Sequence, residues 1–140
     1  MPERKYLPTF ADLVDRLSIV LLKAIRIPEN RAAYLEEVNL IEHDIDVVLD
    51  ESERYLGATD VRAMLMIMLA NDTIWLNEAE VRKSGAQPEK LAFSHAINGI
   101  RNTAKNVLAR SMGERVDLKV DSLAADGAEG WNVFEDLADV

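Results

Sequence analysis

The sequence predicts an all-α fold, an antiparallel up-down four-helix bundle over residues 1–113, followed by a short extended arm and a partly mobile acidic tail over residues 114–140. Apolar residues recur at intervals of three and four in four long segments, which is the spacing of one helix face. Short breaks with Pro or Gly separate the segments, and connections of a few residues favour antiparallel neighbours. A chain of 140 residues is the size of one ordinary domain.

The first helix is predicted over residues 10–26. Thr9 is a suitable N-cap because its hydroxyl can accept a hydrogen bond from the first turn. Apolar residues on more than one side of this helix predict that it is widely buried. They are Phe10, Leu13, Val14, Leu17, Ile19, Val20, Leu21, Leu22, Ala24 and Ile25.

The second helix is predicted over residues 29–53, after Pro28, which is favoured at a helix start. Its opposite face is rich in Asp and Glu and is interpreted as solvated. Its apolar seam has intervals of four and three and consists of Tyr34, Val38, Ile41, Ile45 and Val48.

The third helix is predicted over residues 60–84, with Thr59 or Asp60 as its N-cap and Gly57 as the end of the preceding helix. Residues 63–70 are apolar all round, so this helix is expected to be the central and most buried one.

The fourth helix is predicted over residues 88–112, between the break at 85–88 and a stop at Gly113. Its apolar stripe consists of Phe93, Ile97, Ile100, Ala104, Val107 and Leu108.

Beyond the helices, residues 115–120 alternate in polarity and predict a short strand or an extended arm. The tail from Asp121 onwards is rich in Ala, Gly and Asp and is expected to be mobile, except for an amphipathic turn that docks on the bundle or on a partner. That turn contains Trp131, Val133, Phe134 and Leu137.

Composition excludes several function classes. The absence of Cys excludes disulfides, thiolate metal sites and a cysteine nucleophile. A net charge of −9 argues against non-specific nucleic-acid binding, because the phosphate backbone is also negative. No apolar stretch is long enough to cross a membrane, and no signal peptide is recognisable, so a cytoplasmic location is expected. Gly-rich phosphate loops, a nucleophile elbow and paired His-Glu metal motifs are absent from the sequence.

Polar side chains form a stripe on each of the last two helices. Such a stripe is suited to an anion or another polar ligand, and equally to a hydrogen-bond network between helices or to solvent. On the third helix it consists of Asn71, Trp75, Glu78 and Arg82. On the fourth helix it consists of His95, Asn98, Asn102 and Lys105, with Arg101 beside them.

Two further acidic positions are candidates. Asp72 lies among leucines, where a carboxylate needs a cation, and Arg101 or Lys105 is the expected partner. The two Asp residues at 12 and 15 are one helical turn apart. Asp12 and Asp15 can hold Mg²⁺, or they can simply complement the helix dipole. No other cofactor is expected.

Two segments carry a recognisable pattern. One runs from Leu13 through Asp15, Arg16, Leu17, Ser18 and Ile19 to Lys23, and the other contains Asn71, Ile74, Trp75, Glu78 and Arg82 followed by Ile97, Asn98, Arg101 and Asn102. These segments resemble a group of small, all-helical, uncharacterised bacterial and phage proteins, some encoded near glycosyltransferases. The resemblance covers roughly residues 9–110 and implies a helical fold and an intracellular setting, with no assigned activity. Leu76-Asn77-Glu78 departs from the apolar-Glu-Asp run of that group.

Three functions are therefore considered. The first is a helical scaffold or a module that binds a small ligand, such as an anionic molecule, and it is expected to be a homo-oligomer because four helices leave apolar surface uncovered. The second is a Mg²⁺-dependent enzyme acting on a nucleotide or another phosphorylated small molecule. It would be similar to the all-α nucleoside triphosphate pyrophosphohydrolases, although the acidic pairs of that family are not matched. The third is a phage or host adaptor that binds a partner through residues 131–137.

Overall fold

The computed structural model describes residues 2–117, 128–134, 136 and 137, and this part of the chain is all-helical, with four α-helices and no strand. The all-α prediction is confirmed. The helices are α1 (Phe10–Arg26), α2 (Arg31–Glu51), α3 (Ala58–Ser84) and α4 (Pro88–Ser111), and a 3₁₀ turn (Pro28–Asn30) precedes α2.

Helix α1 has the bounds that the sequence predicts, because a capping box fixes its start. The Thr9 hydroxyl accepts a hydrogen bond from the backbone N–H of Asp12 at 3.1 Å. The Asp12 carboxylate in turn accepts one from the backbone N–H of Thr9 at 3.0 Å. Two backbone donors that a helix start leaves unpaired are thereby satisfied.

Helix α3 begins differently from the prediction. Gly57 is its N-cap, in an extended conformation, and neither Thr59 nor Asp60 has that role. Asp60 instead lies three residues into the motif, where its carboxylate accepts a hydrogen bond from the Gly57 N–H at 2.7 Å. Gly113 does follow α4 as predicted, with a φ of +67° that suits glycine.

Helix α1 packs against all three other helices, whereas α2 packs against α1 alone. The prediction that α3 is the most buried helix is therefore wrong, because none of the described helices covers its outer face. Leu65 and Leu69 are 65% and 49% exposed, although Ile67 between them is fully buried. Helix α4 has the larger buried face, and Ile97, Ala104 and Leu108 are among its inaccessible residues.

The predicted turn near the C-terminus lies on the bundle. Phe134 is almost fully buried in the cluster that contains Phe10 and Ile67, and Trp131 packs edge-on against Phe93 with 6.4 Å between ring centroids. The side chain of Arg62 donates hydrogen bonds to this turn. Residues 114–117 have no regular secondary structure. The rest of the predicted arm, and residues 121–127, 135 and 138–140 of the predicted tail, lie outside the described residues.

Candidate functional site

The candidate site is a polar network where α1 meets α3 and α4. Helices α1 and α4 each contribute residues about one turn apart, so their side chains leave the helix on the same face, and α3 contributes one residue. The network consists of Asp12, Asp15 and Ser18 from α1, Asn71 from α3, and Asn98, Arg101 and Lys105 from α4.

Asn71 is the centre of this network and is only 5% exposed. Its amide nitrogen donates hydrogen bonds to Asp15 at 2.8 Å and to the Ser18 hydroxyl at 2.7 Å. Its amide oxygen accepts a hydrogen bond from Arg101 at 2.9 Å. A buried amide must be hydrogen-bonded, and here both of its ends are satisfied across three helices. Asn71 therefore holds the Asp15 carboxylate and the Arg101 guanidinium in position at the same time.

Arg101 spans the space between Asn71 and Asn98. Its guanidinium also donates to the Asn98 amide oxygen. Its Nε atom is buried and 4.0 Å from Asp15, and it has no hydrogen-bond partner among the described residues. This donor is the one group of the described network that stays unsatisfied, and an unsatisfied buried donor costs stability.

Lys105 continues the network towards the surface. Its ammonium lies 3.1 Å from Asp12 and 3.7 Å from Asp15. Burial alone would raise the pKa of Asp12, but hydrogen bonds from the Thr9 backbone and from Lys105 outweigh it and hold that pKa below its ordinary value. Asp12 is therefore ionised near neutral pH, opposite at least one cation.

Glu114 joins the end of the chain's fourth helix to the beginning of the first. Its two carboxylate oxygens accept hydrogen bonds from the backbone N–H of Phe10 at 2.8 and 3.1 Å. Burial raises the pKa of Glu114, an effect that exceeds the opposite influence of the Phe10 N–H and of Arg115. The start of α1 is thus capped by a residue from another part of the chain.

An open cleft of about 560 Å³ lies beside this network. Arg115 is at its edge, where its guanidinium stacks 4.0 Å from the centre of the Tyr6 ring. Asn102 is half-buried and lines the cleft without a hydrogen bond to any described residue. The cleft is lined by Tyr6, Thr9, Ala11, Asp12, Asn102, Lys105, Asn106, Ala109, Arg115, Val116 and Asp117.

Asn106 holds the far wall of the cleft in place. Its side chain accepts a hydrogen bond from the backbone N–H of Asp117 and donates one to the backbone C=O of the same residue, both at 2.9 Å. These two bonds pair the backbone groups of Asp117, which a neighbouring strand would pair in a sheet. The segment after α4 is thereby fixed against the helix it has just left.

The predicted partner of Asp72 is wrong. Asp72 forms its ion pair with Arg26 at the end of α1, and neither Arg101 nor Lys105 contacts it. Arg26 also lies over the Trp75 ring, 6.0 Å from its centre. The reason is geometric, because Asp72 lies one residue further round α3 than Asn71 and faces a different end of α1.

The candidate residues therefore fall into two groups. Asn71, Asn98, Arg101 and Lys105 meet Asp12 and Asp15 in the network, and Asn102 lines the adjoining cleft. The remaining candidates lie elsewhere, with Asp72 and Trp75 beside Arg26. Three of these are exposed, namely Glu78, Arg82 and His95.

Several residues of the site were not anticipated from the sequence. Ser18 is one helical turn after Asp15, and that spacing was a usable signal. Tyr6, Glu114 and Arg115 carried no such signal, because they come from irregular segments that meet only in the folded chain. Over the described ranges, no group of three or more His, Asp or Glu side chains could hold a metal ion. Binding of Mg²⁺ by the Asp12 and Asp15 pair stays a prediction.

Comparisons with known proteins give no relative, since no protein-family model, curated protein or solved structure matches this chain. The resemblance of the two sequence segments to uncharacterised helical proteins therefore stays a prediction. Within the described residues, none of the helices has the length and apolar character needed to cross a bilayer.

Proposed function

We propose that this chain is a small-ligand-binding module whose cleft takes a small polar molecule with an anionic group. The observation that carries the proposal is the convergence of Lys105, Arg115 and the unpaired amide of Asn102 on one cleft of about 560 Å³. Cationic donors and a free amide are the groups that recognise an anion through charge-assisted hydrogen bonds. A cleft of this volume is within the usual range for small-molecule sites.

The cleft is also preorganised, which lowers the free-energy cost of binding. Lys105 is held by two carboxylates, and Asp15 is held in turn by the buried amide of Asn71. An ammonium group has three donors, so Lys105 keeps capacity for a ligand while it contacts Asp12 and Asp15. A ligand would therefore meet side chains that are already in position.

The thermal midpoint of unfolding tests the proposal. We expect a shift of several degrees with at least one member of a panel of carboxylates, nucleotides and nucleotide sugars, with and without Mg²⁺. A ligand at a hundred times its dissociation constant stabilises the fold by about 2.7 kcal/mol. A shift only in the presence of Mg²⁺ would favour the metal-dependent enzyme.

The variants are chosen to separate binding from stability. Lys105 and Lys90 both lie in α4, both form an ion pair, and both are 25% exposed. We expect Lys105→Met to abolish the ligand-dependent shift and Lys90→Met to retain it. The absence of any shift with the whole panel in the wild type would contradict the proposal.

We also propose the up-down order for the four helices. The order of contacts supports it, because Asn71 of α3 pairs with Arg101 whereas Asn77, further along α3, bonds to Ser94, which is earlier in α4. Between α1 and α2, Arg16 contacts Glu37 whereas Lys23, further along α1, lies over Tyr34, which is earlier in α2. Both pairs of helices therefore have the reversed register of antiparallel helices.

A second candidate function is self-association through α3. Its outer face carries an apolar stripe that we call the α3 stripe, with side chains at intervals of four and seven that lie on one side of the helix. A two-fold pairing of antiparallel α3 helices would bury this stripe against the same stripe of a second copy. The stripe consists of Val61, Leu65, Leu69 and Leu76.

Sedimentation velocity at micromolar concentration tests this candidate. We expect a dimer in the wild type and a monomer for Leu69→Glu, whose charge would lie in the middle of the stripe. Leu91→Glu is the control, because Leu91 is a similarly exposed leucine on α4, outside the stripe. A wild-type protein that sediments only as a monomer would remove this candidate.

The adaptor function keeps its status as a prediction. It requires the turn at residues 131–137 to leave the bundle, because Phe134 is buried and Trp131 packs on Phe93. If a variant that lacks residues 128–140 binds every partner as tightly as the full chain does, the adaptor function is excluded.

A further inference from the structure

A second pocket adjoins the cleft and differs from it in character. It has a volume of about 380 Å³, and Tyr6, Asp12 and Arg115 belong to the walls of both. Its other walls are Pro8, Leu13 and Arg16. The stacked pair of Tyr6 and Arg115 is therefore the partition between two neighbouring spaces.

The second pocket is largely apolar although the side chain of Arg16 lines it. The guanidinium of Arg16 is directed to Glu37 on α2, with hydrogen bonds of 2.7 and 3.1 Å. Its aliphatic part remains for the pocket, next to Pro8 and Leu13. The ring of Tyr6 adds a further apolar surface. A polar group would find few partners here, whereas a hydrocarbon would bury its surface.

The charge of the polar cleft limits what can bind there. Lys105 and Arg115 are cationic, but the carboxylates of Asp12 and Asp117 line the same cleft. Two positive and two negative groups are balanced, and the whole chain has a net charge of −9. A dianion such as phosphate would meet this negative surround at greater cost than a monoanion.

We propose that the ligand of this module is an amphiphilic carboxylate, with its carboxylate between Lys105, Arg115 and Asn102 and its alkyl or aryl body in the pocket of Pro8 and Leu13. The inference rests on the proposed function and specifies its ligand class. The body of the ligand passes the Tyr6–Arg115 pair, and the Tyr6 ring packs against it. The carboxylate takes up the free amide of Asn102 and the remaining donor capacity of Lys105.

Calorimetric titration with octanoate, acetate and inorganic phosphate tests this inference. Each methylene removed from water multiplies the affinity by about fourfold. Octanoate has six methylenes more than acetate, and burial of about three of them in this open pocket would make it bind on the order of a hundredfold more tightly than acetate. Phosphate is expected to bind more weakly than octanoate.

Two tyrosine variants identify the pocket. Tyr6 and Tyr55 are both highly exposed, so neither substitution should unfold the protein, and only Tyr6 lines the cleft. We expect Tyr6→Ala to weaken octanoate by about tenfold more than it weakens acetate. Tyr55→Ala should leave both affinities unchanged, and Lys105→Met should weaken both.

The outcomes separate the two proposals. Equal affinity for octanoate and acetate, or equal octanoate binding by wild type and Tyr6→Ala, would overturn the amphiphilic ligand while the binding module stands. Tight binding of phosphate or of a nucleotide with no binding of octanoate would do the same. No binding of any of these probes or of the earlier panel would overturn both.

Discussion

The inner face of α3 and its outer face reverse the usual relation between polarity and burial. On the inner face, Asn71 is buried and holds an acid and a base from two other helices. On the outer face, Leu65 and Leu69 are exposed to solvent. The comparison shows that the position of α2, which packs on α1 alone, decides which side of α3 is covered. Local polarity does not decide it.

The strongest test of this comparison uses two residues of α3 that are two positions apart. Ile67→Ala should lower the free energy of unfolding by about 3 kcal/mol, because it leaves a cavity in a closed core. Leu69→Ala should lower it by roughly 0.5 kcal/mol, since the side chain is already half in water. Urea unfolding of both variants at the same protein concentration measures the losses. Equal losses would mean that the α3 stripe is covered in solution.

The second test addresses the polar inner face. Asn71→Leu keeps the approximate volume of the side chain but removes every hydrogen bond that its amide forms. We expect a loss of about 2 kcal/mol, because Asp15 and Arg101 each lose a hydrogen bond in a half-buried site. Asn39→Leu is the control, since Asn39 is exposed on α2. Chemical denaturation of both variants gives the comparison, and a loss below that of the control would show that the network is not structural.

A smaller effect than that of Asn71→Leu is expected for Asp12→Asn, about 1 kcal/mol at neutral pH, from the capping box and the contact with Lys105. The folded pKa of Asp12 is below its ordinary value of 3.8, so its contribution is present above that value and is lost as the pH falls through the folded pKa. The difference between wild type and variant should therefore vanish in acid. The free energy of unfolding of both proteins, measured from neutral to acidic pH, tests this expectation.

Glu114 gives the opposite sign and serves as the comparison for Asp12. Its folded pKa is raised above the ordinary value of 4.5, so its contribution is present below that value and falls as the pH rises through the folded pKa. As the pH rises through the folded pKa of Glu114, the free energy of unfolding of the wild type should therefore fall relative to that of Glu114→Gln. Parallel pH profiles for the two pairs of proteins would contradict the assignment of both carboxyl groups.

The comparison also explains what could be predicted from the sequence. The bounds of α1 follow from Thr9 and Asp12, because a capping box is a local signal within four residues. The stripe of Asn98, Arg101 and Lys105 was likewise visible as a helical spacing. Local signals of this kind depend only on neighbouring residues, so the sequence contains them in full.

The partners of these residues depend on tertiary packing and were predicted less well. Asp72 pairs with Arg26, which no spacing indicates, since the two residues belong to different helices. Arg115 meets Tyr6 because the irregular segments before α1 and after α4 lie side by side. Burial of α3 was misjudged for the same reason. A hydrophobic run shows that a helix can be buried, and the neighbours decide whether it is.

The hydrogen bond from Phe10 to Glu114 joins residues that are 104 positions apart. The first amide of a helix ordinarily has no intrahelical partner and exchanges its proton with water quickly. Here that amide is bonded to the segment after α4, so its exchange requires that segment to separate from the start of α1. The exchange rate of one amide therefore measures how often the contact between the first and the last part of the helical domain opens.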